Sequence, residues 1–130
     1  MILGLGLGLP RKRLTGAFQG LLDLYPGAVA AYSVRKLSST YEGNCIRVRK
    51  QVASSPVHED IGFVNNELDT AALLAFAADA DNGDVFVHTW YDQAGSVPPN
   101  NATQSTAASQ PKIVSSGAII TEGTSAKPAI

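Results

Sequence analysis

The chain has 130 residues, with 10 Lys and Arg against 11 Asp and Glu, so its formal net charge is −1. This length suits one domain, and the near-neutral charge excludes bulk electrostatic attraction to nucleic acid or to an anionic membrane. Cys45 is the single cysteine, which excludes an internal disulfide and a cysteine-based metal cluster. No phosphate-binding or dinucleotide-binding glycine motif is present, so no cofactor is expected.

Residues 2–9 alternate apolar side chains with glycine, which places every leucine on one face of an extended segment. The segment is too short to span a bilayer, and no membrane span is expected. One apolar face needs a surface to cover it, so we predict that residues 1–27 form a docking arm and a short helix. The three adjacent cations at 11–13 are interpreted as a solvated surface feature, and docking to an acidic partner is the alternative. The predicted docking residues are Leu3, Leu5, Leu7, Leu9, Arg11, Lys12 and Arg13.

Caps, breakers and periodicity predict the next elements. Thr15 is a helix cap, and Pro26-Gly27 ends that helix because proline cannot continue its hydrogen bonds. Ile46 and Val48 alternate with arginines, which is the period of a half-buried strand. In chain order we predict a helix at 15–24, a strand at 28–37, a strand at 44–49, a loop at 51–58 and a short strand at 59–63.

The second half of the chain contains the clearest helix. Asp69 is a good N-cap, and the polar string from Asp81 to Asp84 ends the helix with turn residues. We then predict a helix at 71–78, a strand at 85–91, a polar loop at 92–110 and strands at 113–114 and 118–120. Short strands with one or two short helices predict a mainly β protein. Residues 28–130 are therefore expected to form a partial concanavalin A-like or jelly-roll β-sandwich, incomplete at its C-terminal end.

Four strings together carry a resemblance to a known family: residues 31–37 (AYSVRKL), 46–49 (IRVR), 60–63 (DIGF) and 89–93 (TWYDQ). As a set they resemble the N-terminal part of the catalytic domain of the fungal α-L-arabinofuranosidase B family, a concanavalin A-like β-sandwich. Similar strings occur in bacteriophage virion and tail-associated proteins. The resemblance carries over no catalytic residue, because the family's catalytic carboxylates lie further along the domain.

The family's strongest local signature is a Tyr-Asp-Gln string before a glycine turn, present here as Tyr91-Asp92-Gln93. For Asp92 we expect a carboxylate that accepts backbone N–H bonds and fixes the loop. An ion pair with Arg35 or Arg47 is the first alternative, and contact with a ligand is the second.

A glycan site is a separate hypothesis, because exposed aromatic rings stack well on sugar rings. Core packing is the expected role for at least one of the two adjacent aromatic residues at the end of the 85–91 strand. The candidate glycan contacts are Trp90, Tyr91, Asp92, Gln93 and Asn101.

The two histidines, His58 and His88, lack metal-ligand spacing and have no accompanying carboxylate cluster, so no metal site is predicted. Strand alternation places His88 on the face of Phe86 and Trp90, where we expect a packed, hydrogen-bonded side chain. Cys45 falls in a predicted strand and is expected to be a small, semi-buried packing residue.

These expectations favour a non-catalytic bacteriophage virion structural protein: a tail-fibre or tail-associated adaptor, or a capsid decoration protein. It would be located in the virion and assembled in the cytoplasm of the bacterial host. Its expected partners are other virion proteins and copies of itself, with host-surface glycan as a further candidate and no nucleic acid. Two alternatives stay open, namely a carbohydrate-binding module and the front fragment of an arabinofuranosidase-like glycoside hydrolase.

Overall fold

The computed structural model describes residues 17–124 and 126–130 of the chain. The fold is mainly β, as predicted, with antiparallel strands and two short α-helices. The docking residues predicted between Leu3 and Arg13, and the Thr15 cap, lie outside the described residues. None of the helices in these two ranges is both long enough and apolar enough to cross a membrane.

The elements are, in chain order, α1 (Leu21–Leu24), β1 (Ile46–Val52), β2 (Ser55–Ile61), β3 (Phe63–Val64), β4 (Glu67–Leu68), α2 (Thr70–Ala77), a 3₁₀ turn (Asp81–Gly83), β5 (Val85–Trp90), β6 (Ala102–Thr103), a second 3₁₀ turn (Ala107–Ser109), β7 (Lys112–Ser115) and β8 (Ala118–Ile119). Six strands form one antiparallel sheet in the order β2-β1-β5-β7-β8, with β6 also paired to β5. Strands β3 and β4 form a separate two-stranded hairpin.

One hydrophobic core joins the sheet to α2. Leu73 and Phe76 of α2 are buried in the same cluster as the apolar side chains of β1, β5 and β7. The helix begins where predicted, because the Asp69 carboxylate accepts the N–H of Ala72 at 2.9 Å. The buried cluster consists of Cys45, Ile46, Val48, Ile61, Leu68, Leu73, Phe76, Ala77, Val85, Val87, Ile113 and Val114.

The strand predicted at 28–37 is wrong. The segment is extended, but its single pairing is an isolated bridge between Arg35 and Glu67. Backbone bonds from Lys36 to Asn66 (2.8 Å) and from Leu68 to Val34 (2.9 Å) tie it to the small β3–β4 hairpin instead of to the main sheet. Apolar alternation alone could not distinguish these two partners.

The loop predicted at 51–58 is also wrong, because β1 and β2 form a hairpin through this region. Its two turn residues, Ala53 and Ser54, have φ values of 50° and 67°. Such turns favour Asn and Gly, and neither is present here. The Asp81 carboxylate accepts both turn N–H groups, at 3.1 Å from Ala53 and 3.0 Å from Ser54. A carboxylate distant in sequence therefore supports a turn that has no local signature.

A β-bulge changes the face on which Trp90 lies. The register of β1 with β5 shifts between Arg47 and Val48, which leaves His88 as the extra residue. Beyond the bulge Trp90 lies opposite Ile46 and packs against the core cluster. The prediction that Trp90 shares the face of His88 is therefore wrong, because the extra residue of the bulge reverses the alternation of side chains after it.

Candidate functional site

The Asp92 carboxylate organises the loop that follows β5. It is buried, and it accepts backbone N–H bonds from Ala94 (2.8 Å), Ala31 (2.9 Å) and Asn100 (3.0 Å). Burial acts to raise the pKa of Asp92, but these three bonds outweigh it and hold the pKa below its ordinary value. The role expected for this carboxylate is confirmed. Neither Arg35 nor any other cation pairs with it among the described residues.

Gln93 fixes the extended segment 28–37 from the side. Its carbonyl oxygen accepts the N–H of Leu37 at 2.8 Å, and its amide nitrogen donates to the carbonyls of Ser33 (3.1 Å) and Arg35 (3.0 Å). Its backbone N–H also donates to Ala31 at 2.8 Å. The side chain is 2% exposed, and both its amide nitrogen and its carbonyl oxygen are bonded inside the protein.

Tyr91 and Asn101 are also engaged in the fold. The Tyr91 hydroxyl donates to Asp60 at 2.7 Å, and Arg47 pairs with the same carboxylate at 3.1 Å. The Asn101 side-chain oxygen accepts the backbone N–H of Asp92 at 3.0 Å. Of the five proposed glycan contacts, the buried Asp92 and the equally buried Gln93 are thus not available to a ligand. Tyr91 and Trp90 are half-buried, and Asn101 is exposed.

Trp90 lines a groove with a volume of about 870 Å³. Its ring lies 6.1 Å from that of Tyr32, at an interplanar angle of 47°. The Trp90 indole N–H is buried and has no hydrogen-bond partner among the described residues. Tyr32 itself is partly exposed, and its hydroxyl donates to the Asn100 carbonyl. An aromatic wall is therefore present, but Tyr32 and not Tyr91 completes it.

An exposed ion-pair network lies at the same groove. Glu67 accepts from Arg35 at 2.8 Å and from Lys127 at 3.0 Å. Hydrogen bonds from Lys127 and then from Arg35 hold the pKa of Glu67 below its ordinary value. Local sequence patterns contain no signal for this set, because its members come from three segments that only the fold brings together.

The two histidines meet on the face of the sheet opposite the core. The rings of His58 and His88 are 5.1 Å apart, edge to face, and the Nδ1 atom of His88 shares a 2.8 Å hydrogen bond with the Thr89 hydroxyl. The packed, hydrogen-bonded role expected for His88 is confirmed. Cys45 is fully buried, and burial raises the pKa of its thiol to about 12. No cluster of three or more His, Cys, Asp or Glu side chains suited to a metal ion occurs in the part of the chain that the structure describes.

No protein-family model, curated protein or solved structure matches this chain. The resemblance to the arabinofuranosidase B family therefore stays a prediction from the four sequence strings.

Proposed function

We propose that this chain is a non-catalytic structural protein of a bacteriophage virion that acts by assembly and attachment. The virion assignment is supported by the resemblance of residues 31–37, 46–49, 60–63 and 89–93 to strings in virion and tail-associated proteins. The assembly role is supported by exposed apolar side chains on α1, on the segment after it and on the loop following β5, and this surface is the observation that carries the proposal.

This surface, called the end patch, lies where α1 and the segment after it approach the loop following β5. Its five large apolar side chains are between 55% and 96% exposed. The Ser96 hydroxyl donates to the Val29 carbonyl at 2.7 Å and so holds the two segments together. Contiguous apolar surface on a soluble domain is typical of an interaction site. The end patch consists of Leu21, Leu24, Tyr25, Val29 and Val97.

The roles of several carboxylates support a non-catalytic protein. Asp23 accepts N–H bonds from Gly20 (2.7 Å) and Ser39 (2.8 Å), and these bonds lower its pKa. Asp84 pairs with Lys112 at 2.7 Å, and this bond is the main cause of its lowered pKa. A glycosidase acid needs a raised pKa so that it holds a proton at neutral pH. Asp23 and Asp84 have lowered pKa values instead, which do not suit the general acid of a glycosidase.

The oligomeric state tests assembly through the end patch. We expect native mass spectrometry and light scattering to detect self-association of the 130-residue chain that increases with protein concentration. Leu24→Glu and Val29→Glu should each weaken it, because a charge in the contact must be desolvated. Val57→Glu, at an exposed position on β2, is the matched control and should leave association unchanged. A chain that stays monomeric at every concentration would contradict assembly of copies through this surface.

Glycan binding is a second candidate, favoured by the paired rings of Trp90 and Tyr32 in the groove. Trp90 is the only tryptophan of the chain, so its fluorescence reports on this groove alone. We expect neutral hexa-oligosaccharides of glucose or xylose to shift its emission and to protect it from acrylamide quenching. Tyr32→Ala should abolish the response, whereas Tyr25→Ala, outside the groove, should not. An unchanged spectrum with every oligosaccharide would eliminate this candidate and leave the assembly role untouched.

A further inference from the structure

Arg49 occupies the middle of the sheet, on the face opposite the core. It is only 7% exposed, and it is held by neutral groups. Its Nε donates to the Gln110 side chain at 2.6 Å, and one terminal nitrogen donates to Gln51 at 3.1 Å. Its guanidinium carbon lies 4.9 Å from the centre of the Phe86 ring. The remaining N–H groups of the guanidinium fork have no acceptor among the described residues.

The charge of Arg49 has no counter-ion. The five ion pairs among the described residues involve Arg35, Arg47, Lys50, Lys112 and Lys127. Residues 1–16 and position 125 contain no Asp or Glu. Since a poorly hydrated charge is costly unless it is paired, a buried arginine without a carboxylate is unusual.

The neighbouring cations already have carboxylate partners. On β1 and β2, Arg47 pairs with Asp60, while on the β7 side Lys112 pairs with Asp84. The Asp81 carboxylate is occupied by two backbone N–H groups of the β1–β2 turn. Asp81 and Asp84 line a groove together with Arg49, but neither forms an ion pair with it, so the Arg49 guanidinium has no direct counter-ion among the described residues.

Two imidazoles lie on the same face of the sheet as Arg49. His58 lies directly opposite Arg49 in the β1–β2 pairing, and its ring contacts that of His88. Burial, followed by the positive charges of His88, Arg47 and Arg49, lowers the pKa of His58. His58 is therefore mainly neutral at pH 7, and an anion beside it would favour its protonated form.

We propose that Arg49, His58 and His88 form a binding site for a tetrahedral oxyanion, a phosphate or sulfate group. The guanidinium fork binds such groups through two parallel N–H bonds, and each protonated imidazole adds a donor. The anion would supply the direct ion-pair partner that Arg49 lacks among the described residues. This inference goes beyond the structural role proposed above and does not depend on the location of the protein in a virion.

Calorimetric titration of the full chain with sulfate, at constant ionic strength, tests the site. Sulfate keeps its double charge across the titration range of histidine, so a change in affinity reports on the protein. We expect affinity to increase about tenfold or more between about pH 7.5 and about pH 5.5. Arg49→Met should weaken binding at least about tenfold at both values. Arg35→Met, which removes an exposed arginine paired with Glu67, is the matched control and should bind as the wild type does.

A second variant keeps the test decisive if Arg49→Met does not fold. The double variant His58→Gln, His88→Gln should bind sulfate near neutral pH but lose the increase at acid pH. The affinities for inorganic phosphate and for glycerol phosphate are then compared near neutral pH. Tighter binding of inorganic phosphate indicates a site for the free ion, and tighter binding of glycerol phosphate indicates a site for a phosphate group on a larger ligand. Either result supports the site. Sulfate affinity that is equal in the wild type and the variants, or acetate binding as tight as sulfate binding, would overturn the proposal.

Discussion

Two consecutive side chains after β5 hold the loops of this protein in place. Asp92 gathers three backbone N–H groups, and Gln93 bonds three backbone groups of the segment 31–37. The role of Asp92 could be predicted, because an aspartate after a strand and before a glycine turn commonly bonds nearby N–H groups. The role of Gln93 could not, since its partners are 56 to 60 residues away in the chain.

Substitutions at Gln93 separate hydrogen bonding from packing. Gln93→Met preserves the volume but leaves three backbone groups unpaired, and we expect a loss of about 2 kcal/mol in the free energy of unfolding. Gln93→Glu should cost more, about 3 kcal/mol or above, because a carboxylate cannot donate to the carbonyls of Ser33 and Arg35. Urea denaturation near neutral pH measures both values. Glu59→Gln, at an exposed position on β2, serves as the control, and a Gln93→Glu protein as stable as this control would contradict the assigned role.

At the scale of elements, Lys50 connects β1 to the end of α2. Its Nζ is nearly buried, donates to the Phe76 carbonyl at 2.8 Å and also to Asp79, and lies 4.2 Å from the centre of the Phe76 ring. A cation at this position also interacts favourably with the C-terminal end of the helix dipole. Strand alternation places Lys50 on the same face as Ile46 and Val48, and the neighbouring helix covers its side chain.

Lys50→Met should lower the free energy of unfolding by about 1 to 2 kcal/mol, because the Phe76 carbonyl loses a charged donor. Asp79→Asn tests the other partner. The Asp79 side chain is 67% exposed, so solvent screens its attraction to Lys50, and its loss should cost less stability than the loss of the Lys50 amine. Thermal and urea denaturation of both variants provide the comparison. A larger effect at Asp79 than at Lys50 would mean that the ion pair, and not the helix carbonyl, dominates.

At the scale of the whole molecule, the pKa shifts define a window of maximal stability. The lowered pKa values of Asp23, Asp84 and Asp92 contribute stability above about pH 4, which is lost as these carboxylates protonate. The lowered pKa of His58 contributes stability above about pH 6.5, which is lost as the pH falls through its folded value. The raised pKa of Cys45 acts in the opposite direction, since its stability is present below the ordinary thiol value of 9.0 and is lost as the pH rises toward about 12.

We therefore expect the free energy of unfolding to be greatest between about pH 6.5 and about pH 8.5. Urea denaturation at a series of pH values, with a reducing agent present, measures this curve. Cys45→Ala should flatten its alkaline side, and Asp92→Asn should flatten its acid side. A stability maximum near pH 5 would contradict the assigned shift of His58.

The sequence alone determined the mainly β class, the α2 helix with its Asp69 cap, and the strands β1, β5 and β7, because these depend on periodicity and on residues adjacent in the chain. It also determined the backbone-binding role of Asp92. The tertiary structure decided that residues 28–37 join the β3–β4 hairpin, that a turn without Asn or Gly is supported by Asp81, and that a bulge at His88 moves Trp90 to the core face. It also brought Arg49, His58 and His88 together. Each of these depends on contacts between groups far apart in the chain, and local sequence contains no information about which distant group will supply the partner.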